Sequence, residues 1–177
     1  MTQTTDPTAV HASIEVNAPV QRAIEVFTRD FGAFKPPEHN LLVYAYVTDP
    51  SQFHEWQQGV VSGGIKEPGP PAVGSHCQMV RRIGGADRPS ASVLTKLDPP
   101  TSWAVRGIDG PIRAQVDVTV QPIDEARSRV AIDVDFEGHG IGKVLVPLLV
   151  RRQAAKEMPE NLARLKDRLE THPVSPS

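Results

Sequence analysis

Three arginines, Arg81, Arg82 and Arg106, fall in stretches of otherwise alternating apolar residues, where a charge is out of place. Side chains alternate faces along a strand, so Arg81 shares its face with Met79. If that face turns inward, a guanidinium in a mostly apolar pocket would orient a ligand's carboxylate or enolate through paired N–H donors. The ordinary alternative is an exposed sheet edge kept soluble by its arginines. Asp133, Asp135 and Glu137 pose the same question with the opposite charge. A desolvated carboxyl would hold its proton and serve as a general acid. Val130, Ile132, Val134 and Phe136 compete with them for the interior, and burying those side chains is far cheaper than burying charge. The carboxylates are therefore expected on the wet outer face.

Other chemistries lack their residue patterns. The run Gly138-His139-Gly140-Ile141-Gly142-Lys143 sits between a strand and a helix, where phosphate loops occur. Glu137 stands in place of the first glycine and Val144 follows the lysine, so the spacing fails and a sharp turn is the expected role. A dinucleotide site would need a parallel βαβ unit, which the surrounding strands do not suggest. The six histidines, His11, His39, His54, His76, His139 and His172, form no closely spaced pair with one another or with cysteine, and no metal site or cofactor is expected. No Gly-x-Ser-x-Gly elbow is present. Cys77, the single cysteine, reads as a small buried hydrophobe rather than a nucleophile.

The elements that must position these residues follow from periodicity. His11–Asn17 alternates and reads as a first strand, Val20–Phe27 as a short helix, Leu41–Val47 as a second, and Ser51–Gln57 as a single turn placing Phe53 and Trp56 on one face. Six strands are expected at Val60–Glu67, Gly74–Ile83, Ser90–Leu97, Ser102–Ile108, Ile112–Pro122 and Ser128–Glu137. Asp109-Gly110 predicts a tight hairpin between the fourth and fifth of these. A long helix from Ile141 to Glu170 closes the chain, with Leu145, Leu148, Leu149, Leu162, Leu165 and Leu169 as its apolar stripe and a kink expected at Pro159. The order is that of an α+β domain: a curved antiparallel sheet gripping a long C-terminal helix, with an internal cavity where the curvature leaves space.

Composition bounds the partners. A net charge of −2 and 5% aromatic residues argue against a nucleic-acid binder, which would carry a basic excess and stacking platforms. No apolar run is long enough to span a bilayer, and the Thr-rich start lacks the features of a signal peptide. With one cysteine, the cytoplasm is the expected compartment. Stable membrane insertion is not expected, and the oligomeric state is open. One domain over residues 11–170 is expected between unstructured tails, 1–10 and 171–177.

The chain resembles the START-like, or SRPBCC, superfamily, in its polyketide cyclase/dehydrase and lipid-transport branch. The residues that carry the likeness are Ile14-Glu-Val-Asn-Ala-Pro19, Val43-Tyr-Ala-Tyr-Val-Thr-Asp-Pro50, Phe53-His-Glu-Trp56, Leu97-Asp-Pro-Pro100 before Trp103, and Asn161-Leu-Ala-Arg-Leu-Lys-Asp-Arg-Leu169. The resemblance implies a helix-grip fold that binds a hydrophobic or amphipathic small molecule, lipid or polyketide-like, between sheet and helix. Phe53, Trp56, Met79, Trp103, Val105, Leu148, Leu149 and Met158 are the expected wall. The resemblance also implies an alternative, a cyclase or dehydratase working by proton transfer, with Arg81 or Arg106 as candidates to stabilise an oxyanion. Residues 21–42 read as an insertion relative to the family pattern, either a lid over the cavity or an extra surface helix. A third reading makes that insertion a protein-interaction segment.

Overall fold

In the computed structural model, residues 10–17, 38–124, 126–141, 143 and 149–171 are described. Seven strands, β1 (Val10–Asn17), β2 (Val60–Ile65), β3 (His76–Ile83), β4 (Ala86–Asp98), β5 (Ser102–Gly107), β6 (Ile112–Asp124) and β7 (Arg127–Gly138), form one antiparallel sheet in the order β1-β7-β6-β5-β4-β3-β2. Helices α1 (Glu38–Thr48), α2 (Phe53–Trp56) and α3 (Arg151–Thr171) cover its concave face. A single 3₁₀ turn, Pro50–Gln52, joins the first two; its N-cap Asp49 accepts hydrogen bonds from the N–H and the hydroxyl of Ser51 at 2.9 and 2.8 Å.

The apolar periodicity sets the sheet's inner face. Val118, Val120, Val130, Ile132 and Val134 are buried, and the intervening Asp135 and Glu137 are exposed. Register shifts at Val60/Ser62, Leu94/Lys96 and Pro122/Asp124 insert bulges that bend the strands and curl the sheet around α3. On α3, Leu162, Leu165 and Leu169 face the core. The open edge of β1 is tied to this helix: Glu170 accepts from the backbone N–H of Asn17 at 2.9 Å, and Lys166 donates to the carbonyl of Glu15.

Several predicted boundaries shift for identifiable reasons. The gap left between the predicted strands Gly74–Ile83 and Ser90–Leu97 narrows to a two-residue Gly84-Gly85 turn followed directly by β4. Both glycines have positive φ, 60° and 80°, which matches the twist of a tight hairpin. Pro89 is tolerated because β5 begins pairing with β4 only at Ser92, so this half of β4 is a sheet edge. The final helix, predicted from Ile141, is regular from Arg151. It continues through Pro159, which is exposed, as is Ala155, whose carbonyl loses its helical N–H partner and can be solvated instead. Residues 38–42 of the predicted insertion form the first turns of α1. Residues 21–37, the helix predicted at Val20–Phe27, and positions 1–9 and 172–177 of the two predicted tails lie outside the described residues.

Two contacts fix the helices on the sheet. A Cβ on Gly63 would stand 2.4 Å from the carbonyl oxygen of Pro50, so only glycine lets the turn before α2 rest on β2. Beneath α1, the His39 ring and the Ser128 hydroxyl are hydrogen-bonded at 2.9 Å, Ser128 donates to Asn40 Oδ1 at 3.0 Å, and Asn40 Nδ2 donates to the Pro100 carbonyl at 2.9 Å. All three side chains are buried. Burial holds His39 below the ordinary histidine value of 6.5, against the smaller opposing pull of Asp124. The unfolded chain therefore takes up a proton near pH 6.5 that the folded chain refuses, and stability falls as pH drops through that value. Urea unfolding midpoints of the native protein are expected to fall between pH 7 and 5 more steeply than those of His39→Gln. Parallel profiles for the two proteins would refute this.

Candidate functional site

Between the inner face of β3–β7 and the helices lies a largely enclosed hollow of about 150 Å³. Its aromatic wall is built at one place. Phe53 meets Trp56 edge to face with ring centroids 5.6 Å apart, and meets Trp103 at 6.1 Å with the planes at 90°. Asp49-Pro50 turns the chain so that Phe53 and Trp56, three apart on α2, both point into the fold. Val105, Val116, Val118, Ile132, Val134 and Phe136 supply the sheet side; Ala154 and Met158 supply the α3 side.

Of the residues expected in the wall, Phe53, Trp56, Met79, Trp103, Val105 and Met158 border the hollow. Leu149 does not: it is 62% exposed, in a π-helical turn directly before α3 that takes it out of phase with the α-helical stripe. Leu148 lies outside the described residues. The two arginines separate by parity. Arg81, two positions from Met79 on β3, borders the hollow, whereas Arg106 follows inward-facing Val105 on β5 and is exposed on the outer face. Arg82 is also outside, paired with Asp87 at 2.8 Å across the hairpin.

The polar groups of the site gather at one end. Arg81 Nη2 donates to the carbonyl of Gln58 at 3.3 Å, and desolvation pulls the guanidinium below its ordinary value, partly offset by the Glu157 carboxylate. Glu157 itself borders the hollow, its Oε1 accepting from Gln153 Nε2 at 2.6 Å. Asn161 Oδ1 accepts the backbone N–H of Gln58 at 2.8 Å, which locks the β2 approach to α3. The indole Nε1 of Trp56 is buried without a hydrogen-bond partner among the described residues. Burial pushes the Cys77 thiol up to about 11, so it is a neutral wall group and not a thiolate at neutral pH. Glu157 and Asn161 are functional candidates that the sequence reading missed. The signal was available, because residues 154, 157, 158 and 161 share one helical stripe by the i, i+3, i+4, i+7 rule.

A wider depression of about 420 Å³ lies over β2–β4 beside Gly63, Ser90 and Asp109, but it is shallow and open to solvent. Among the described residues no group of His, Cys, Asp and Glu could hold a metal ion, and no helix is long and apolar enough to cross a membrane.

Residues 42–170 match the family model for polyketide cyclase/dehydrase and lipid transport. Among solved structures, a START superfamily protein from Mycobacterium smegmatis superposes with a TM-score of 0.65 at 15% identity, over 92% of this chain and 97% of the other. The Zhui aromatase/cyclase from Streptomyces sp. R1128 gives 0.61 at 15% identity, over 92% and 96%. The di-domain ARO/CYC BexL from the BE-7585A biosynthetic pathway gives 0.60 at 16% identity, over 93% of this chain and half of that one. At these identities the likeness is one of fold, the helix-grip arrangement of a curled antiparallel sheet around a C-terminal helix. No curated protein sequence matches significantly.

Proposed function

The chain belongs to the polyketide cyclase/dehydrase and lipid transport family, and on that premise we propose that it binds a hydrophobic or amphipathic small molecule in the hollow between sheet and α3. The observation that carries the reading is the enclosed wall itself, in which aromatic and aliphatic side chains dominate and a few polar groups converge at one end. An apolar space of this size can hold a benzene-sized body. A ligand burying about as much area as an aromatic side chain, roughly 200 Å², gains about 5 kcal/mol from apolar burial, from which the entropy cost of association is subtracted. Tighter binding needs the polar end as well.

The experiment is an untargeted mass-spectrometric survey of small molecules extracted from freshly purified, denatured protein. A defined apolar or amphipathic compound, approaching one per chain, is the expected finding; an extract indistinguishable from that of an unrelated protein purified in parallel would overturn the reading. A second reading, cyclase- or dehydrase-type proton transfer, is favoured by one observation: Arg81 and Glu157 both border the hollow. It requires Glu157→Gln to lose turnover while still binding.

A further inference from the structure

Two hydrogen-bond donors that border the hollow are under-used. Trp56 is only 3% exposed, and its indole N–H has no partner among the described residues. Arg81 carries five N–H donors in a fixed fork, and the one bond recorded for it, to the Gln58 carbonyl, is long at 3.3 Å. Arg81 is anchored on the Gln58 carbonyl, two residues beyond Trp56 in the chain, and both Arg81 and Trp56 border the hollow. Glu157 is the nearest candidate counter-ion, yet no ion pair joins it to Arg81, and its carboxylate is drawn toward Gln153 instead. A buried N–H left unpaired is destabilising, and a guanidinium facing a dry wall calls for a planar anionic acceptor. The occupant that removes both deficits carries two acceptor oxygens on one carbon.

Resting on the ligand-binding reading above, we infer that the hollow is a site for small monocarboxylic acids, the carboxylate seated between the Arg81 guanidinium and the Trp56 indole N–H and a compact apolar body lying against Trp103, Val116 and Val134. The hollow's volume limits that body to about the size of a benzene ring or a short alkyl chain. Glu157, a like charge at the same end, weakens the anion's hold and tunes the affinity.

Trp56 and Trp103 are the only tryptophans and both border the hollow, so intrinsic fluorescence reports occupancy. The test titrates the full chain with hexanoate, hexan-1-ol and hexylamine at neutral pH. Hexanoate is expected to bind at least tenfold tighter than hexan-1-ol, and hexylamine weakest. Arg81→Met is expected to erase the preference for the acid while hexan-1-ol still binds, and Arg81→Lys to restore part of it. Glu157→Gln is expected to tighten hexanoate severalfold relative to hexan-1-ol, the ratio of the two affinities being the readout; this arm stands even if Arg81→Met does not fold. If hexan-1-ol saturates and hexanoate binds no better, the carboxylate site is wrong and the cavity reading survives. If none of the three saturates, the cavity reading falls with it.

Discussion

Replacing Ala154 by Phe is expected to abolish ligand binding in the hollow while the protein stays folded. Ala154 borders the hollow from α3, and a phenyl ring is a benzene-sized body entering a space of about 150 Å³. The added ring occupies the room that the ligand's apolar portion would take, so binding of a neutral probe such as hexan-1-ol is expected to weaken at least 100-fold, or about 2.7 kcal/mol. The fold should lose no more than about 1–3 kcal/mol, the usual range for overpacking, because the ring fills existing space. Fluorescence titration beside a thermal melt checks both halves. Unchanged probe affinity in a folded Ala154→Phe protein would mean that the hollow is not where ligand goes.

The second large effect is on stability. Leu165 is fully buried on the face of α3 that the sheet grips. Leu165→Ala is expected to destabilise the protein by about 2–5 kcal/mol, combining lost transfer energy with a cavity that the rigid sheet cannot close. Leu149→Ala, four turns earlier, is expected to change stability by no more than about 0.5 kcal/mol, since Leu149 is mostly solvated. Urea unfolding of the two variants separates the positions. Comparable losses would show that the gripped stripe extends further toward the helix N-terminus than the buried residues indicate.

The same contrast marks what could be read from residue order alone. The strands of the inner face were legible because a two-residue period leaves Val130, Ile132 and Val134 no alternative to the core. The family likeness named the grip of sheet on helix, and Phe53, Trp56 and Trp103 follow from where that grip places them. The placement of Leu149 failed because leucines at α-helical spacing do not announce the π-helical turn at 149–150. Arg106 could have been set aside by the rule that favoured Arg81: Val105 takes the inward position and its neighbour must point out. The strand predicted from Ser90 starts four residues earlier because Pro and Gly are punctuation in most contexts, whereas here two glycines make the whole turn and the proline lies on a sheet edge. His39 and Asn40 were beyond reach. Polar side chains at the start of a helix look solvated until a distant Ser128 and the Pro100 carbonyl are brought against them.

The bare α-carbon at Gly63 has one more implication. Backbone lies against backbone there, so how closely the turn before α2 approaches β2 is limited by main chain at this point. Wall residues can consequently be exchanged, enlarging or reshaping the chamber for a different guest, while its frame keeps the same dimensions. A scaffold built this way separates the architecture of a container from the choice of its contents.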